Sequence, residues 1–465
     1  MIAAGHPATA DAGAEILADG GSAADAAVAA CLASCVAETV MTGLLGGGHA
    51  IWRSAGGDAR LLDCFVAVPS GTGAPMEHLR VPFGEELVHY AIGASSCAVP
   101  GVPAGLDALW RAHGRLPWAR LVEPALALAR SGVRRPRAHA LCLAMLEPVM
   151  TMREGARIYA PGDTLLQDGD RLEQPGLVRA LELVRDEGAR TVYEGTIARE
   201  LLALVAERGG TITPTDLASY DAQWAEPVHV SFAGHDVLTR GGLSGVPETL
   251  RRYDPAGGAD ALLAALEAST VPDGHTTNLS VVDADGNACV LTTSLGLGSG
   301  DWLPGLDLHL NSMLGEADLV VGALEPGARM ESMMAPTVAL DADGLALAVG
   351  AAGGTRLRTA LVGVLGAVLH EGLTVQEAID RPRFHPAAGT VNAEPGVDEG
   401  WLEALEGRGR AVRRWPERHH YFGGVSGIGR AGAGADPRRS GAARTPGSSR
   451  GSTRRSHSGG TPGSC

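Results

Sequence analysis

The stretch His275-Thr276-Thr277-Asn278-Leu279-Ser280-Val281-Val282-Asp283-Ala284-Asp285-Gly286-Asn287-Ala288-Cys289-Val290-Leu291-Thr292-Thr293-Ser294 decides the fold. Its β-branched and aliphatic residues fall into two runs, Thr276–Val282 and Ala288–Ser294, divided by Asp283-Ala284-Asp285-Gly286-Asn287. Asp-Gly between two such runs predicts a hairpin, because glycine takes positive φ at no steric cost. A Thr pair opening the first run is what any strand favours. Taken alone, Thr276 is a strand residue.

Around the hairpin the chain reads as a globular protein. Its 465 residues, 45% of them hydrophobic, supply ample core. Every basic residue is Arg, and a formal net charge of −15 argues against binding a phosphate backbone, so no nucleic-acid partner is expected. The seven cysteines (31, 35, 64, 97, 142, 289 and 465) are odd in number and lack metal-ligand spacing. Cys31 and Cys35, four apart on a predicted helix, read as buried small residues, and a disulfide framework is not expected. No run is long and apolar enough to span a bilayer, and no basic-then-apolar leader opens the sequence. A cytoplasmic protein without a membrane partner is the expectation.

Residues 8–37 carry helical periodicity rich in Ala and Gly, which permits close approach of helix to sheet. Gly43-Leu44-Leu45-Gly46-Gly47-Gly48-His49 predicts a turn into a strand; it lacks the Lys and the glycine spacing of a phosphate-binding loop. Thr213-Pro214-Thr215-Asp216-Leu217 starts a helix. Between Leu238 and the hairpin the sequence predicts one short helix, about Asp260–Ser269. Thr445–Cys465 is Ser, Gly and Arg without periodicity and predicts a disordered tail.

The order His-Thr-Thr-x-x-Ser-Val-Val-Asp-x-Asp-Gly-Asn-Ala resembles the processing site of the γ-glutamyltransferase (γ-glutamyltranspeptidase) family of N-terminal-nucleophile hydrolases. Other motifs extend the resemblance from about residue 3 to Arg444: Val99-Pro100-Gly101-Val102-Pro103, Leu310-Asn311-Ser312-Met313, Pro326-Gly327-Ala328-Arg329, and Gly350-Ala351-Ala352-Gly353-Gly354-Thr355-Arg356. The resemblance implies an α/β fold, a four-layer αββα sandwich. It implies a self-inflicted cut between His275 and Thr276, giving a large subunit, 1–275, and a small subunit, 276–444, followed by the tail, 445–465. Thr276 would then be the nucleophile. The chemistry explains why it must become terminal: a hydroxyl needs a base, and a freed α-amino group of pKa about 7.7–8.0 supplies one on the same residue. Ser294 stands where the family has a second hydroxyl beside the nucleophile. Gly353 and Gly354 stand where backbone N–H groups face the developing oxyanion. No metal or organic cofactor is implied; the partners are a small-molecule amide or peptide substrate and the two subunits of one precursor.

The family's amino-acid clamp is largely missing. Its Arg for the substrate α-carboxylate falls at Phe65, and a phenyl ring cannot replace a guanidinium fork. The residues that hold the α-amino group fall at Gly296, Met313 and Glu316, of which only Glu316 keeps an anionic group, and of a serine pair Ser332 remains while its neighbour is Met333. A free amino-acid head group would be left poorly paired, at about 1–3 kcal/mol per unmade partner. The expected activity is a self-processing Thr amidohydrolase or acyltransferase on γ-glutamyl or related acyl amides. Two alternatives stand beside it: an acylase acting on less zwitterionic, more apolar or larger acyl groups, and a member that keeps the fold without catalysis.

Overall fold

A computed structural model of the chain describes residues 1–83, 86–268 and 276–446. The hairpin forms: Thr277–Val282 pairs antiparallel with Ala288–Ser294, the first strand starting one residue later than expected. Gly286 turns the chain at φ 85°, and Asp283 locks the loop by accepting from the N–H groups of Asp285 and Asn287. Asp283 Oδ2 also accepts from Ala23 N–H at 3.0 Å, tying the turn to the start of a buried helix.

This hairpin is the centre of a seven-stranded sheet. Its order is Ala442–Arg444, Ile2–Ala4, Thr277–Val282, Ala288–Ser294, Gly47–Arg53, Ala59–Cys64 and Gln223–Ala225, every pair antiparallel. A six-stranded antiparallel sheet faces it, ordered Gly432–Ala435, Gly424–Gly429, Gly344–Ala352, Thr337–Asp341, His235–Thr239 and Val228–Phe232. Ile51, Val290, Leu238, Val338 and Ala348 fill the space between them. Strands buried on both faces read as continuous apolar runs, which is why Ala288–Ser294 is buried at every position.

Helices close the two outer faces. Ala23–Ala37 is buried throughout and, with Pro7–Ala18 and Trp118–Ser131, covers the seven-stranded sheet. Its start is fixed by a capping box between Ser22 and Asp25. Thr355–Leu369 and Val375–Asp380 cover the other sheet. The layers are therefore αββα, as the family resemblance implied.

One expectation is corrected. Two helices, Val246–Arg252 and Gly258–Glu267, connect Leu238 to the hairpin, not one. Pro247 in the first turn and Arg251 and Arg252 in the last set up the extra helix, and Gly258 at φ 60° separates it from the next. Ser269, His275 and residues 447–465 of the expected tail lie outside the described residues. Among those described, six cysteines are free and buried, and no helix is long and apolar enough to cross a membrane.

Candidate active site

Thr276 immediately precedes the central strand and is 6% exposed. The register pairs Thr277 with Thr293, so its continuation sets Thr276 opposite Ser294. Gly353 N–H donates to Thr276 Oγ1 at 2.9 Å. Gly353 and Gly354 sit at φ 123° and 63°, a bend open to glycine that turns the end of Gly344–Ala352 into the helix Thr355–Leu369. Gly354 is that helix's N-cap, so the positive end of its dipole points where negative charge would develop on a substrate at Thr276. Ser294 Oγ accepts from Gly296 N–H at 3.0 Å.

On one side of Thr276 lies a narrow cleft. Phe65, Ser294, Met313, Glu316, Ser332, Met333 and Gly354 all line it with Thr276, so seven residues separated by up to 289 positions in sequence converge on one place. Gly296 stands beside it, against Glu316. His275 lies outside the described residues. The sequence did not single out Leu319, Met334 and Leu357, which complete the wall. Phe65 is 1% exposed, stacks on His49 with ring centroids 5.5 Å apart, and packs with Met313, Leu319, Met333 and Met334. Its backbone is pinned by Asp63, which accepts from Phe65 N–H, and by Tyr220, whose hydroxyl donates to Phe65 C=O at 2.5 Å. Asn311, from the Leu-Asn-Ser motif, braces the floor by donating to the carbonyls of Leu45 and Ala98.

Gly296 and Glu316 fit together in space. A Cβ on Gly296 would lie 2.2 Å from Glu316 Oε1, so the missing side chain makes the room that the carboxyl occupies. Glu316 is 3% exposed and its Oε1 has no hydrogen-bond partner. Burial, reinforced by the charge of Asp318 and opposed by Leu297 N–H, pushes its pKa up to about 8. The group is mostly uncharged at pH 7.

On the other side of Thr276 is a second cavity, about 320 Å³ of non-atom space, lined by Glu38, Met41, His139, Thr277, Ser426 and Arg439 among others. Glu38 accepts from the hydroxyls of Thr9 at 2.6 Å and Thr277 at 2.5 Å, and burial raises its pKa. Arg439 is 6% exposed; its Nη1 donates to Met41 Sδ, and its Nε has no partner. Glu38 and Arg439 escaped the sequence reading. The available signal was slight: an acidic residue directly after a fifteen-residue helix buried at every position.

A four-layer αββα sandwich with a threonine at the head of a central strand, facing a helix N-terminus, defines the N-terminal-nucleophile hydrolase class. The crystal structure of cephalosporin acylase from Bacillus halodurans shares this fold, with a TM-score of 0.80 and 22% identity over 96% of this chain and 95% of that one. The family model for gamma-glutamyltranspeptidase matches residues 9–251 and 248–445. The chain belongs to the gamma-glutamyltranspeptidase family, and is an amidohydrolase or acyltransferase of that family. It is 28% identical to the Acylase ACY 1 proenzyme of Pseudomonas sp. (strain SE83), over 90% of this chain and 88% of that protein. It is 26% identical to the Glutathione hydrolase proenzyme 1 of Schizosaccharomyces pombe, over 88% and 78%.

Proposed function

We propose that the chain cuts itself before Thr276 and then uses that threonine to transfer acyl groups from amides, taking apolar acyl chains in preference to γ-glutamyl. The observation that carries the acyl preference is the cleft wall: Phe65, Met313, Leu319, Met333, Met334 and Leu357 surround the approach to Thr276. Among the described residues that line this cleft there is no guanidinium to pair a substrate carboxylate. Thioether side chains are flexible and adapt to chains of different shape.

In this reading the free α-amino group of Thr276 takes the proton from its own hydroxyl as Oγ1 attacks the amide carbon. Gly353 N–H, already on Thr276 Oγ1, and the amide-rich start of Thr355–Leu369 support the tetrahedral oxyanion. The amino group returns the proton to the departing amine, and water or a second amine then releases the acyl group. That the relatives are named proenzymes supports the self-cut, and the acylase among them supports the acyl reading.

The test is a denaturing gel with mass spectrometry on the full chain beside Thr276→Ala, followed by acyl and γ-glutamyl p-nitroanilides on the product. We expect fragments 1–275 and 276–465 from the parent chain only, and faster release from apolar acyl anilides. An intact parent chain with no turnover overturns the mechanism. A γ-glutamyl preference overturns the choice of substrate.

A further inference from the structure

In the cleft, Glu316 has hydrogen-bonding capacity that the described residues leave unused. Glu316 lines the cleft, is more than nine-tenths buried, and has an unpartnered Oε1 in space that Gly296 leaves open. A buried polar group without a partner costs free energy that a ligand can recover. The other hydroxyls nearby are engaged locally: Ser332 Oγ accepts from Met334 N–H, Ser312 Oγ from Leu297 N–H, and Ser294 Oγ from Gly296 N–H.

We propose that Glu316 is a specificity-determining residue that donates a hydrogen bond from its carboxyl group to an oxygen on the acyl chain, selecting uncharged chains that carry a keto, ether or carboxamide oxygen within an otherwise apolar body. This rests on the acyl-transfer reading of the same cleft and narrows its substrate class. Two observations set the sign of the interaction. The walls around Glu316 are apolar, which disfavours charge on either partner. The charged group that acts on it is Asp318, whose like charge opposes ionisation. The Ser294, Ser312, Ser332 and Thr276 hydroxyls near it carry no charge, Leu297 N–H is the opposing dipole, and the Thr276 α-amino group that the cut frees is the one cation this cleft gains; as general base it acts in its neutral form. A protonated carboxyl can donate where a carboxylate can only accept.

The experiment compares p-nitroanilides of hexanoic, 4-oxohexanoic and 5-oxohexanoic acids on the isolated protein, with Glu316→Gln and Glu316→Leu. At pH 7 we expect one oxo isomer to exceed hexanoyl in kcat/KM by about tenfold, the worth of one otherwise unmade buried hydrogen bond. Gln, which keeps an N–H donor, should retain the preference; Leu should abolish it and favour hexanoyl. The wild-type preference should fall above about pH 8, where the carboxyl loses its proton, and that of Gln should not. Equal preference in wild type and Glu316→Leu overturns the proposal. So does a γ-glutamyl preference lost in Glu316→Gln, which would make Glu316 an anionic partner for an ammonium group. Calorimetric binding of the corresponding amides to the same protein separates the two readings. Ordered binding without turnover keeps the role of Glu316 and sinks the catalytic one, whereas no ordering overturns the role of Glu316.

Discussion

Thr276 Oγ1 accepts a hydrogen bond from Gly353, a residue at a backbone angle that side chains resist. At φ 123°, a Cβ on Gly353 would meet Gly423 Cα at 2.8 Å and Arg439 Nη2 at 3.2 Å. Gly353→Ala should therefore move the N–H away from Thr276. Loss of one oxyanion donor lowers kcat by about 10²-fold or more, and backbone strain costs about 1–3 kcal/mol. We predict slower appearance of fragments 1–275 and 276–465, a kcat reduced by that order, and only a modest drop in melting temperature. An unchanged kcat would remove Gly353 from the machinery. At this scale the sequence singled out Phe65, Met313 and Met333 by motif position, and the fold brings all three to the cleft beside Thr276. Arg439 was not legible, because its setting depends on what folds around it: a methionine sulfur that accepts from Nη1, and the buried Glu38, on whose carboxyl its charge acts.

The hairpin and the helix Ala23–Ala37 are joined through one side chain. Asp283 accepts from Asp285 N–H and Asn287 N–H within the turn and from Ala23 N–H across to the helix start. Ala23 is fully buried, so Asp283→Ala would leave its donor without water as a substitute. The expected loss is about 2 kcal/mol in a denaturant titration, within the range for a stranded buried donor. Asp283→Asn keeps one acceptor oxygen for either the turn or Ala23 and turns an NH2 towards the other, so it should recover only part of it; full recovery would mean that one of the two contacts carries no cost. Hairpin, helix pair and strand-to-helix glycines were legible because each rests on local chemistry: turn residues, periodicity and backbone freedom. The helix Val246–Arg252 was missed because seven residues give too short a period to register, and its stability comes from Val246 and Leu250 packing into the second helical layer.

Across the whole molecule, buried charge is handled in two opposite ways, and the pH dependence of stability distinguishes them. Asp436 is matched by Arg383 at 2.6 Å and Arg438 at 3.2 Å, and these guanidinium groups hold its pKa below the usual 3.8. Its contribution is fully present above that value and is lost as pH falls through its lowered pKa. Glu316 has no such partner, and burial raises its pKa from 4.5 to about 8. Below pH 4.5 both folded and unfolded chains carry its proton, and the group is neutral to stability. Between 4.5 and 8 the unfolded chain has released the proton while the folded chain retains it, so each step up in pH favours unfolding. Above 8 both have released it and the loss levels off. Glu316→Gln, which cannot ionise, should therefore match the parent near pH 4 and become progressively more stable than it up to about pH 8, read as the difference in melting temperature. A difference independent of pH would mean that Glu316 is not held protonated, which would also remove the donor on which the acyl selectivity depends.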